Sequence, residues 1–191
     1  EAIKMAPLAL AMKANKKLSC KVCVTGQHQE MLEQVLNIFS LEPDYNLKIM
    51  ETNQDNFSIT QKILAGLKQL FQSYQPDLIV VHGDTASTLG ASLAAFFNKI
   101  PIAHIEAGLR TGNLLSPWPE EGNRKLVGSV AKWHFAATHD AKQNLLKENV
   151  PSSQIFVTGN TVIDALLIAS KKVEEPALKY RLEREYQHFL D

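Results

Sequence analysis

The chain of 191 residues has only two cysteines, no net charge and no long apolar run, and each shortage removes a class of protein. Two cysteines cannot staple a disulfide scaffold. They do form a C-x-x-C, Cys20-Lys21-Val22-Cys23, but inside the β-branched-rich run Leu18–Thr25 rather than in a turn opening a helix. Residues three apart in a strand face opposite sides about 10 Å apart, too far to bridge, so ordinary strand cysteines are expected. Twenty Lys and Arg balance twenty Asp and Glu, which leaves no electrostatic grip on nucleic acid or on an anionic membrane. The longest uncharged helix-like stretch, Thr85–Asn98, falls short of the ~18 apolar residues of a membrane span. No basic n-region opens the chain, and the expectation is a soluble, cytoplasmic, globular protein. No G-x-G-x-x-G follows a strand and no G-x-x-x-x-G-K-[ST] occurs, so the nicotinamide-dinucleotide fingerprint and the P-loop are both absent.

What is present is a 45% apolar composition, enough for a sizeable core, and a regular alternation of elements. Glu1 falls in the middle of a helical pattern whose apolar face would be Ile3, Met5, Leu8, Leu10 and Met12. The chain is therefore expected to be a piece of a longer protein. Cys20–Thr25 reads as a strand, Glu30–Phe39 as a helix and Leu47–Met50 as a short strand. Phe57–Tyr74 has the spacing of a long amphipathic helix. Leu78–Val81 is apolar on both faces, as a buried parallel strand should be. Asp84 would cap a small-residue helix, Thr85–Asn98. Pro101–Ile105 is the next buried strand. Pro119, followed by Glu120 and Glu121, opens a helix to about Ala131. Trp133–Ala136 and Ile155–Thr158 flank a helix at Asp140–Glu148, and Asn160–Val173 and Ala177–Leu190 are two more helices. Strands separated by helices predict an α/β fold, a doubly wound, mainly parallel Rossmann-like sheet. In such sheets ligands bind beyond the carboxyl ends of the strands.

Polar residues gather at those ends: Gly26-Gln27-His28, His82-Gly83-Asp84, Glu106 through Arg110, Pro119 through Arg124, and Gly159-Asn160-Thr161. Each has a plain reading. Asp84 could be only a helix cap. Glu106 directly follows a buried strand, where a carboxylate is ion-paired, raised in pKa or functional. Glu120 could be first-turn dipole decoration paired with Arg124 at i, i+4. His28, His82 and His104 fit polar packing as well as chemistry. Taken together, Asp84, Glu106 and Glu120 come from successive βα connections and form the set that general acid/base catalysis uses. His82-x-Asp84 and His104-x-Glu106 could also supply mixed nitrogen and oxygen metal ligands.

The strings EAIKMAPL, VCVTGQHQEML, VHGDTASTLGASLAAF, HIEAGLRTGNLLSPWPEEGNR and IFVTGNTVIDALL resemble the bacterial non-hydrolysing UDP-N-acetylglucosamine 2-epimerases, from residue 1 to about residue 168. The resemblance implies the first lobe of a GT-B-like two-lobe enzyme. Residues 1–159 would be an N-terminal Rossmann-like lobe lacking its first strand, and 160–191 a linker and first helices leading to an absent C-terminal lobe. It further implies an isomerase of cell-surface polysaccharide biosynthesis that interconverts UDP-GlcNAc and UDP-ManNAc by elimination and re-addition of UDP. No redox cofactor and no metal are implied. Asp84, Glu106 and Glu120 would be the acid/base carboxylates, their faces unassigned, with Lys4 and Arg124 contacting substrate. Gln27 and His28 match a segment where several members bind a second UDP-GlcNAc as activator. A cytoplasmic homodimer formed through this lobe is implied, and the fragment alone is expected to be inactive. The alternatives are a lobe of a GT-B-type nucleotide-sugar glycosyltransferase and a non-catalytic sugar-nucleotide-binding fragment.

Overall fold

The computed structural model of the chain describes residues 1–26 and 29–190. Along them run α1 (Ala2–Ala14), β1 (Cys23–Val24), α2 (Gln29–Phe39), β2 (Tyr45–Asn46), α3 (Asn56–Ser73), β3 (Ile79–His82), α4 (Ala86–Phe97) and β4 (Ile102–Ala107). Then follow α5 (Glu120–Val130), β5 (Trp133–Ala136), α6 (His139–Lys147), a 3-10 turn (Ser152–Gln154), β6 (Ile155–Val157), α7 (Val162–Val173) and α8 (Pro176–Leu190). The strands make two sheets, β1–β2 and β3–β4–β5–β6, and every pairing is parallel. This is the α/β, parallel-sheet class that the alternation predicts.

The chain divides into two compact units. One comprises Glu1, Val22–Gln29 and Pro43–Asn160, and so holds both sheets; the other comprises Ala2–Lys21, Glu30–Glu42 and the chain from Thr161 onward. In the sheet unit, Ile59, Ile63 and Leu67 of α3 pack with Ile49 and with Ala86 and Ala94 of α4. The small residues of α4 have a steric cause: a Cβ on Gly90 would stand 2.9 Å from Ile63 Cγ2. Val81, Ile100, Ile102 and Val127 form a second cluster, and Ala107, Ala136, Ala141, Leu145 and Ile155 a third. In the other unit α1 packs on α7.

Three local expectations are corrected. The first two strands are shorter than predicted, Cys23–Val24 in place of Cys20–Thr25 and Tyr45–Asn46 in place of Leu47–Met50. The amides of Leu47 and Ile49 still donate to Val24 and Thr25, but Lys48 between them has φ +50 and interrupts the extended run. The buried face of α1 is Ala6, Pro7 and Ala9, not the larger residues expected; Ile3 is exposed. Small residues allow close approach of one helix to another, which the apolar period alone does not reveal. Finally, the cap of α4 is Thr85, whose side chain accepts from the Thr88 amide, and not Asp84. Cys20 and Cys23 are free thiols.

Candidate active site

β3 and β4 are neighbours in parallel register, His82 opposite Ile105, so both deliver their carboxyl ends to the same side of the sheet. The turn after β3 is held by three successive carbonyls, each taking a side-chain donor. Thr88 Oγ1 donates to His82 O at 2.5 Å, His104 Nε2 to Gly83 O at 2.7 Å, and Asn123 Nδ2 to Asp84 O at 2.8 Å. Gly83, at φ +69, makes the turn possible. Asp84 is thereby held with its carboxylate directed at Arg124, whose Nη2 bonds Asp84 Oδ2.

Arg124 has a second partner, and it is not Glu120. Its Nη1 lies 3.4 Å from Glu121 Oε2, one turn earlier at i, i+3, in place of the i, i+4 pair expected. Glu121 is fully buried and accepts from the amides of Thr111 and Gly112, both at 3.2 Å. A buried carboxylate with two backbone donors and a guanidinium is compensated for its desolvation. Sequence reasoning missed Glu121. Glu120 and Glu121 stand side by side on the helix, and the choice between them depends on which face turns inward. Glu120 begins α5, half-buried, where the helix dipole favours an anion.

Glu106 lies within β4, not after it, at the register shift against β5 between Ile105 and Ala107. Its φ is +62, a left-handed conformation uncommon for a residue with a Cβ. The carboxylate is 13% exposed, with His82 Nε2 3.7 Å from Oε2. Asn160 Nδ2 donates to the same oxygen at 2.7 Å. Both ring nitrogens of His82 are buried without a hydrogen-bond partner. His104 is different: burial pushes its pKa down to about 4, outweighing the Gly83 carbonyl that favours its proton. Since a carbonyl only accepts, His104 carries its proton on Nε2 and is a neutral strut for the turn.

Arg110, in the same HIEAGLR string, is structural. It grips Glu148 through two bonds, Nε to Oε1 at 2.9 Å and Nη2 to Oε2 at 2.7 Å. Among the described residues no group of three or more His, Cys, Asp or Glu side chains is placed to hold a metal ion. Lys4 lies on α1, in the other unit. Gln27 and His28 lie outside the described residues. Among those residues no helix is long and apolar enough to cross a membrane.

Residues 10–189 match the family model described as UDP-N-acetylglucosamine 2-epimerase. The chain is 54% identical to the UDP-N-acetylglucosamine 2-epimerase of Yersinia pestis and 53% identical to that of Escherichia coli K12, with all of this chain and 51% of each relative covered. A crystal structure of the UDP-GlcNAc 2-epimerase from Neisseria meningitidis bound to UDP-GlcNAc superposes with a TM-score of 0.92 at 50% identity, covering 98% of this chain and 51% of that one. The chain spans about half the length of the curated relatives it matches.

Proposed function

The chain belongs to the UDP-N-acetylglucosamine 2-epimerase family, and from that premise we propose that it is the first lobe of an enzyme interconverting UDP-GlcNAc and UDP-ManNAc. Residues 1–159 would form that lobe and 160–191 the approach to a second one, in a GT-B-like arrangement. The observation that carries the chemistry is the pair of carboxylates, Asp84 and Glu106, at the carboxyl ends of adjacent parallel strands. Glu106 is held there in an unusual backbone conformation.

The C2 proton of the sugar is barely acidic. Its removal becomes feasible when the C1–oxygen bond to UDP breaks at the same time, leaving a C1–C2 double bond, a protonated base and free UDP. Addition of a proton to the opposite face of C2 and return of UDP oxygen to C1 gives the inverted sugar. The sequence is redox-neutral, so no electron carrier enters the balance. In this reading Glu106 exchanges the proton at C2, and Asp84 and Glu120 complete the acid/base set. Arg124, bonded to Asp84, would contact the polar substrate, and the resemblance gives Lys4 the same role. The complete enzyme would be a cytoplasmic homodimer, with Gln27 and His28 in a regulatory segment.

The test is epimerisation in D₂O by the complete protein. Glu106→Gln keeps size and hydrogen bonding but cannot take the proton, so kcat should fall about 10²–10⁴-fold with little change in KM. Deuterium entry at C2 should slow in parallel. Exchange and turnover at near wild-type rates would remove Glu106 from the chemistry.

A further inference from the structure

Glutamate has three rotatable side-chain bonds, and a base that must meet one C–H bond cannot use them freely. The backbone at Glu106 leaves the strand path at φ +62, so the side chain is aimed by its contacts rather than by the pleat. Two of those contacts converge on Oε2: the Asn160 amide at 2.7 Å and His82 Nε2 at 3.7 Å. Asn160 follows β6, two strands from β4, and its side chain reaches across the carboxyl end of β5.

The plain explanation for an asparagine here is a helix cap, since it stands two residues before the start of α7. That explanation fails. The cap position of α7 is Thr161, and no side-chain cap hydrogen bond is made there. The Asn160 amide goes to Glu106 instead. Gly159, at φ +78, turns the chain between β6 and Asn160. A neutral amide suits this position, because it orients a carboxylate without carrying a titrating proton of its own.

Building on the reading of Glu106 as the C2 acid/base, we propose that Asn160 is a positioning residue: its side-chain amide fixes the Glu106 carboxylate in the orientation that exchanges the proton. Misplacing a reacting group by about 1 Å costs on the order of 10²-fold. In the complete protein, Asn160→Ala should therefore lower kcat about 10- to 100-fold, with KM and calorimetric affinity for UDP-GlcNAc changed less than about threefold. The decisive readout is a double-mutant cycle. In a Glu106→Gln background the same Asn160→Ala change should cost less than about twofold, because there is no proton-accepting carboxylate left to aim. A full 10- to 100-fold loss in that background would mean that Asn160 acts elsewhere, and an unchanged kcat in the single variant would mean that it does not act. Either result overturns the proposal. If Asn160→Ala does not fold, Asn160→Leu keeps the branched shape and removes the amide donor without adding a charge beside Glu106, and the same cycle applies. Failure of the unaltered protein to epimerise, or of Glu106→Gln to lose activity, would bring down the functional reading and this proposal with it. Failure of the Asn160 arm alone brings down only the proposal.

Discussion

At the scale of single residues, the buried histidines set the response to pH. In the unfolded chain the His104 imidazole takes a proton near its ordinary 6.5; in the fold it does so only near 4. Between those values the unfolded state binds more protons, so unfolding becomes easier as pH falls. The stabilisation is fully present above 6.5 and is lost on the way down to about 4. The shift corresponds to a total on the order of 3 kcal/mol across that window. His134, also shifted down by burial, acts in the same direction. Urea midpoints of the complete protein should fall clearly between pH 6.5 and pH 4.5. His104→Gln, which cannot titrate, should flatten part of that slope. A slope that is unchanged in the variant would show that the imidazole is already protonated in the fold.

At the scale of elements, the junction of β4 with α6 leaves no room for variation. Gly108 follows β4 with φ +88, and a Cβ there would stand 2.2 Å from the Ala141 carbonyl oxygen. The Gly108 carbonyl in turn accepts from Asn144 Nδ2 at 3.0 Å, which ties the turn to α6. Gly108→Ala meets both a strained backbone and a backbone clash that no rotamer relieves. It should destabilise by about 3 kcal/mol or more. Gly112, at φ +80, has nothing within 4 Å of the same position. Gly112→Ala should therefore cost only backbone strain, about 1 kcal/mol. Chemical denaturation of the two variants side by side checks the contrast; equal losses would mean that the close approach at Ala141 relaxes freely. The string HIEAGLR thus divides its work. Glu106 meets Asn160 and His82, Gly108 packs against α6, and Arg110 grips Glu148.

At the scale of the whole chain, β1 and β3 both end their sheets, and no ladder joins them among the described residues. Ile79 and Gly83 donate towards β4, so in a parallel ladder the alternate amides, Val80 and His82, point to the open edge. An unpaired edge with apolar residues is a template for other chains. The 191-residue chain prepared alone should therefore aggregate, whereas a protein in which that edge is covered should not. A monodisperse, cooperatively melting preparation of the chain by light scattering and calorimetry would contradict this. Much of the molecule is legible from sequence because it rests on local patterns. The doubly apolar run before His82 marks a buried parallel strand, and the period of Ile59, Ile63 and Leu67 an amphipathic helix. The motif strings likewise determined the family. Tertiary structure alone decided which polar groups meet. Arg124 has an acid at i−4 and another at i−3, and only the packing of α5 selects Glu121 and sends the other guanidinium nitrogen to Asp84. Asp84 reads as a cap because it precedes a helix, until the turn held by Thr88, His104 and Asn123 aims it away. Asn160 and Glu106 are far apart in the chain, and only the ordering of parallel strands brings the amide to the carboxylate. Periodicity is a property of neighbours along a chain, whereas these pairings depend on the relative placement of separate elements, which no single stretch of sequence encodes.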